Sequence, residues 1–177
     1  LESIGVDILF LPDNQMIYPD NFSTYVEETV LSKDLESVSR PHFFRGVLTV
    51  VLKLFNIIAP QNVFFGKKDY QQFRLVEKMV EDLNLDINVV GGETIREKSG
   101  LAMSSRNAVF TENELQDLGI IYTSLKMAKD RVGLEEKDTS IIKTLIKETL
   151  LTLNGLTIDY IEITEIEKLS TVETINQ

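Results

Sequence analysis

The sequence predicts an α/β chain, with an open, doubly wound parallel sheet followed by a small α+β unit. Three observations carry this prediction. A strand, a helix and a second strand follow one another within about thirty residues, the signature of a parallel crossover. Two polar, glycine-bearing turns, "GKKD" (66–69) and "GGETIREKSGLAMSSRN" (91–107), leave the C-terminal ends of those two strands. After Asn107 the pattern changes to two amphipathic helices and an alternating stretch.

Taken in order, "VDILF" (6–10) reads as a short buried strand, closed by Pro12 and the turn that follows. The segment "YPDNFSTYVEE" (18–28) turns at Pro19-Asp20-Asn21, and the alternation of Phe22, Thr24 and Val26 predicts an extended stretch. Ser39 to Pro41 break the chain. From Val47 onward Val50, Val51, Leu54 and Ile58 recur at helical spacing, and Ala59-Pro60 end the helix. "NVFF" (62–65) is a strand, and Asp69 is positioned to cap a helix whose buried stripe is Phe73, Val76, Val80 and Leu83. "DINVVGG" (86–92) is the second strand. Thr111 and Glu114 stand at capping-box spacing ahead of a helix running to Gly133. "DTSIIKTLIKETLLTLNG" (138–155) is another, closed by Asn154-Gly155. "LTIDYIEIT" (156–164) alternates as a half-exposed strand.

Composition narrows the function. The 177 residues allow one large or two small domains. Their apolar fraction of 43% and charged fraction of 26% are ordinary for a globular protein. A net charge of -10 argues against a nucleic-acid partner, which basic surface would hold. It leaves room for a small anion in a locally basic pocket. With no cysteine there are no disulfides, thiolate zinc sites or thiol nucleophiles, and the composition fits a reducing, cytoplasmic compartment. No secretory leader or membrane-length apolar run is present in these residues. Leu1 is not a methionine and the first apolar run reads as a strand already under way. We therefore expect chain upstream, and the acidic tail after Thr164 suggests a shortened C-terminus too.

The two turns carry the chemistry. In "GKKD" the glycine lets backbone approach a ligand, the helix start offers free N–H groups, and Lys67 and Lys68 add charge. Taken alone it is also an ordinary solvated loop, and it lacks the glycine-rich length of a Walker loop. "MSSRN" (103–107) is equally ordinary as loop and cap residues. Together the turns face one crevice, where Lys67, Lys68, Arg96, Lys98 and Arg106 would cluster in an acidic protein. A nucleoside triphosphate would account for that excess. Gln72, one turn from Lys68, could point into the same crevice and meet a small polar substrate. His42, the single histidine, reads as a structural or surface residue, and no metal-ligand cluster stands out.

"SRPHFFRGVLTVVLKLFNIIAPQNVFFGKKDYQQFRLVEKMV" (39–80) with "IREKSGLAMSSRN" (95–107) closely resembles the pantoate–β-alanine ligase family. "YPDNFSTYVEE" and "IDYIEI" fit the same pattern in order. The resemblance implies a nucleotidylyltransferase: a truncated Rossmann-like nucleotide-binding domain over 1–95 and a small C-terminal domain over 96–177 that closes over the site. It implies use of ATP and Mg²⁺ to make pantoyl adenylate from pantoate, then attack by the β-alanine amine to give pantothenate and AMP. Gly66, Lys67, Lys68 and Asp69, with Met103, Ser104, Ser105 and Arg106, would bind nucleotide, and Ile95 would lie near adenine. Lys68 would stabilise charge at the α-phosphate, while Ser104, Ser105 and Arg106 hold the leaving pyrophosphate. Gln72 and Arg40 would contact pantoate. A homodimer is implied as well. The family's paired-histidine motif would lie upstream of this chain. Where the family usually reads "RPxHFRG", this chain has "RPHFFRG", with Phe43 at the histidine position. The competing readings are a non-catalytic remnant or interaction module, and a related transferase acting on another acid.

Overall fold

The computed structural model describes residues 1–176. We number the helices of the fold as follows: α1 (Asn14–Ile17), α2 (Glu36–Ser39), α3 (Phe43–Ile58), α4 (Tyr70–Asp82), α5 (Glu112–Asp117), α6 (Ile120–Gly133) and α7 (Thr139–Leu150). The strands are β1 (Asn62–Gly66) and β2 (Asn88–Gly92), paired in parallel with Asn62 opposite Asn88 and Gly66 opposite Gly92.

Helix α3 begins ahead of the apolar series that predicted it, because Phe44 and Leu48 stack one turn apart on its buried face. Phe55 continues that face, flanked by Val47, Val51 and Leu52, while Ile58 points outward. The helix stops where Ala59 adopts a left-handed conformation and its N–H reaches Phe55 O at 2.8 Å, with Pro60 next. Before α3, Val26 belongs to an extended stretch without a ladder, and its N–H donates to Thr49 Oγ1 at 3.0 Å.

Between the strands runs α4. It buries Phe73, Leu75, Val76, Met79 and Val80, of which Leu75 and Val76 are wholly inaccessible. Each side chain of that size contributes about 1.5–3 kcal/mol when fully buried. Leu83 does not complete the stripe, because the helix ends at Asp82 and Asn84 turns left-handed, leaving Leu83 half exposed. In β1, Val63 and Phe65 pack inward and Phe64 faces out, the period-2 alternation of a strand. Asp69 occupies the cap position of α4 but makes no capping hydrogen bond there.

Two expected strands do not form. Residues 6–10 have no ladder, and Ile8 and Leu9 are exposed rather than buried. Over 156–164 the inward side chains are Leu156, Ile158, Ile161 and Ile163, which lie against the α6–α7 cluster, so the expected alternation changes phase at Asp159-Tyr160. A strand needs a partner for its N–H and C=O groups; 6–10 finds no neighbouring strand among the described residues, and 156–164 is paired only at its end, where Val172 N donates to Ile163 O at 3.1 Å. The C-terminal part is therefore helical, with isolated bridges (Asp138 to Thr174, Thr164 to Thr171) in place of a sheet.

The helix expected from Thr111 to Gly133 is broken in two. Its start is as predicted, with the Thr111–Glu114 capping box formed in both directions. The break falls at Leu118-Gly119, where a Cβ on Gly119 would sit 2.4 Å from the carbonyl oxygen of Ser99. Helix α7 is capped by Asp138, which accepts from Ser140 N, and it ends at Leu150, before Asn154-Gly155. The core comprises two clusters. One joins Phe44, Leu48, Leu75 and Val76 with their neighbours; the other joins Ala128, Ile142, Ile146 and Leu150.

Candidate active site

Both strands end in glycine, and the chain leaves them at one edge of the sheet. From β1 the residues Lys67–Asp69 form a single 3-10 turn that delivers Lys68 and Asp69 to a cleft of about 540 Å³. Gln72, on the first turn of α4, faces the same cleft, as do Arg40 and Phe43 at the start of α3. Neighbouring Gln71 is engaged elsewhere, since its amide donates to Leu31 O and Asp34 O and its oxygen accepts from Glu36 N. Both glutamines line the cleft, but the Gln71 amide is spent on tying down the 31–36 loop.

The stretch Ile95–Met103 is a tight hairpin. Arg96 bridges Ala102 in antiparallel fashion, and Met103 N donates to Ile95 O at 2.9 Å. Its turn closes with Gly100 N donating to Glu97 O. Gly100 holds φ +92, and a Cβ there would fall 2.7 Å from the Tyr122 ring, so the position demands glycine twice over. Ser104 then caps the next 3-10 turn (Ser105–Val109) by accepting from Arg106 N, and Asn107 donates back to Ala102 O. This folding carries Arg106 to the cleft that holds Lys68.

The cluster of five cations expected at this edge is thinned by neighbours. Lys67 is bound to Glu93 at 2.6 Å, and that hydrogen bond raises its pKa above the usual lysine value. Arg96 stacks on the Tyr122 ring at 3.8 Å and donates to Gly100 O, so it serves the hairpin. Neither Arg96 nor Lys98 lines the cleft. The positive charge facing it comes from Lys68, Arg106 and Arg40. Arg40 is paired with Glu36 at 3.0 Å, Lys68 lies 3.7 Å from Asp69, and Arg106 has no ion pair among the described residues.

Of the predicted site residues, Lys68, Asp69, Gln72, Arg40 and Arg106 line this one cleft; Gly66, Lys67, Ile95, Met103, Ser104 and Ser105 do not. Ile95 and Met103 form an exposed apolar pair across the hairpin. His42 sits in a left-handed conformation just before α3 and caps nothing, while Phe43 carries the Arg40 guanidinium 5.7 Å from its ring centre. A further wall comes from Tyr160, Glu162 and Thr164, which the sequence pattern marks only as part of a strand. Their every-other-residue spacing in "DYIEIT" is the one signal that could have marked them as a face. Burial, and then the charges of Glu36 and Asp159, push the Tyr160 phenol up.

The cleft sets Arg40, Lys68 and Arg106 beside Glu36, Asp69 and Glu162 at the C-terminal edge of the parallel strands, the edge at which open α/β sheets as a class bind their ligands. The model of the family described as pantoate-beta-alanine ligase matches residues 1–177, and the chain belongs to that family. It is 48% identical to the pantothenate synthetase of Thermosipho africanus (strain TCF52B), covering all of this chain and 63% of that protein. Against the pantothenate synthetase of Thermotoga petrophila, identity is 46% with the same coverage. The structure superposes on pantothenate synthetase from Thermus thermophilus with a TM-score of 0.91 at 35% identity, over 99% of this chain and 63% of the other. It also matches the Francisella tularensis pantoate-beta-alanine ligase, complexed with beta-gamma ATP and beta-alanine, with a TM-score of 0.68 at 35% identity over 84% of this chain and 55% of that one. The chain thus spans about 63% of the length of the relatives it matches.

Proposed function

We propose that the whole protein joins pantoate to β-alanine at the expense of ATP, within pantothenate and coenzyme A biosynthesis. The observation that carries this reading is the convergence of Lys68, Gln72 and Arg106, from separate turns, on one cleft. In the first step a pantoate carboxylate oxygen attacks the α-phosphorus, the bond to the bridging oxygen breaks, and pyrophosphate leaves. In the second the neutral β-alanine amine attacks the acyl carbon; the acyl C–O bond breaks, AMP departs with its electron pair, and the nitrogen releases one proton to solvent. Lys68 stabilises negative charge building on the α-phosphate, and Ser104, Ser105 and Arg106 hold the pyrophosphate. On the same reading Gly66, Lys67, Asp69 and Met103 supply the remaining nucleotide contacts and Ile95 and Met103 the adenine face, for which a nucleotide must reach beyond the cleft, since only Asp69 of these lines it. Gln72 and Arg40 orient pantoate, which puts the reacting atoms in line without an elaborate base.

Among the described residues, no three His, Cys, Asp or Glu side chains are grouped as metal ligands. Mg²⁺ would arrive on the nucleotide, since this ion keeps several waters and takes one or two carboxylates beside substrate phosphates. Asp69 would be the carboxylate for it, because its pair with Lys68 at 3.7 Å is looser than those of the other cleft carboxylates, Glu36 with Arg40 at 3.0 Å and Glu162 with Lys143 at 3.2 Å. The bound ion would neutralise phosphate charge. The same proposal takes 1–95 as part of a Rossmann-like domain and 96–177 as a second domain, in a cytoplasmic homodimer. No helix among the described residues is long and apolar enough to cross a membrane.

The test is Lys68→Ala in the whole protein. Pantoate-dependent ATP–pyrophosphate exchange is expected to fall by about 10²–10³-fold, the usual cost of one charge-stabilising donor. Exchange at the wild-type rate would overturn the role of Lys68.

A further inference from the structure

The segment from Asp159 to Leu169 runs between the two hydrophobic clusters, tied at one end to exposed Ser39 of α2 and seated at the other in the first cluster. At one end Ser39 Oγ donates to Asp159 Oδ2 at 2.7 Å. At the other, Leu169 is 4% exposed, buried in the cluster of Leu31, Phe44, Leu48 and Leu75 and lining the floor of the same cleft. Between these points the alternation is divided: Ile161 and Ile163 pack on the second cluster, while Tyr160, Glu162 and Thr164 face the cleft. A movement of the segment therefore moves the wall of the cleft.

Leu169 holds φ 56, in the left-handed region that a branched L-residue avoids. Such a conformation persists where the surroundings over-determine it. Here they do. Thr164 bridges Thr171, Glu165 N donates to Ser170 O, and the Glu165 carboxylate accepts from Glu167 N, Lys168 N and Ser170 Oγ. The loop is folded around one carboxylate and presents a single leucine. Across the cleft Leu35 packs on the same cluster and is also strained, at φ 60 and ψ -125.

We propose that Leu169 is a positioning residue: seated in the first cluster, it fixes the Tyr160–Thr164 wall against Lys68 and Gln72, and the Ser39–Asp159 hydrogen bond holds the other end. The structural part stands on this geometry; its effect on nucleotide rests on the reading given above for the cleft.

The experiment is made in the whole protein with Leu169→Ala, Leu169→Met and Ser39→Ala. Amide hydrogen exchange is read at 160–164, and MgATP affinity by calorimetry. In Leu169→Ala, exchange at 160–164 should rise while α7 stays protected, and MgATP should bind about tenfold more weakly (about 1.4 kcal/mol). Leu169→Met should restore both. Folded Leu169→Ala with wild-type exchange at 160–164 overturns the proposal, as does faster exchange with undiminished affinity. Should Leu169→Ala fail to fold, Ser39→Ala decides, since its exposed hydroxyl leaves folding intact: faster exchange at 160–162 supports the hold and unchanged exchange overturns it. Wild type that binds no MgATP would sink the nucleotide reading, with the exchange data still judging the wall.

Discussion

Lys67 and Lys68 stand side by side, yet one is occupied and the other faces the cleft. The Lys67–Glu93 pair is exposed and adds little to stability. Its hydrogen bond raises the folded-state pKa of Lys67, so its contribution is complete below the unfolded lysine pKa of about 10.4 and is lost as pH rises through the higher folded value. At neutral pH the bond's consequence is electrostatic: Glu93 cancels a cation that the cleft could use. Glu93→Gln removes that cancellation. ATP binding should tighten severalfold at low ionic strength, and the gain should fade at high salt as screening shortens the reach of Lys67. Calorimetric titration at two salt concentrations measures both. Affinity unchanged at low salt would mean that Lys67 lies beyond the phosphates. The spacing of "GKKD" showed both lysines at the sheet edge. It could not show Glu93 claiming one of them, because that contact joins the ends of two strands paired only in the folded chain.

Among the elements, those set by local pattern were legible and those set by distant contacts were not. The β1–α4–β2 unit and the Thr111–Glu114 cap follow from period and spacing. The strands expected at 6–10 and 156–164 depended on partners, which alternation does not supply. The break between α5 and α6 is likewise tertiary. The carbonyl of Ser99 sits against Gly119, and Arg96 with Gly100 sits on Tyr122, so the hairpin that leads to Arg106 rests on the start of α6. Gly119→Ala puts a methyl into a backbone oxygen that cannot swing aside as a side chain would. We expect a loss of about 1–3 kcal/mol in denaturant unfolding, in the range of other overpacked sites. We also expect weaker ATP binding, because the shifted hairpin carries Ser104 and Arg106 with it. An unaltered midpoint in urea would show that hairpin and helix separate freely. The cleft was legible by the same division: the turns carrying Lys68 and Arg106 were visible, whereas the wall at 160–164 arrives through packing.

At the scale of the molecule, two apolar clusters meet around a cleft with one wall on each. Lys68 and Gln72 belong to the side built on α4, Tyr160 and Glu162 to the segment packed on α6 and α7. A ligand that touches both walls binds only while they are assembled, so its binding free energy adds to the cohesion of the pair. At a hundred times its dissociation constant that addition is about 2.7 kcal/mol. The methionines report on the sides separately: Met79 is buried in the first cluster, and Met127 lies on α6 within 3.9 Å of Thr149 Oγ1. Followed by the NMR signals of their labelled methyl groups, thermal unfolding should lose Met79 and Met127 closer together in MgATP than without it, and at a higher temperature. Lys68→Ala should abolish both effects. If MgATP raised the Met79 transition and left Met127 where it was, the nucleotide would be gripped by the sheet edge alone. The wall at 160–164 would then have to act on the other substrates or on none.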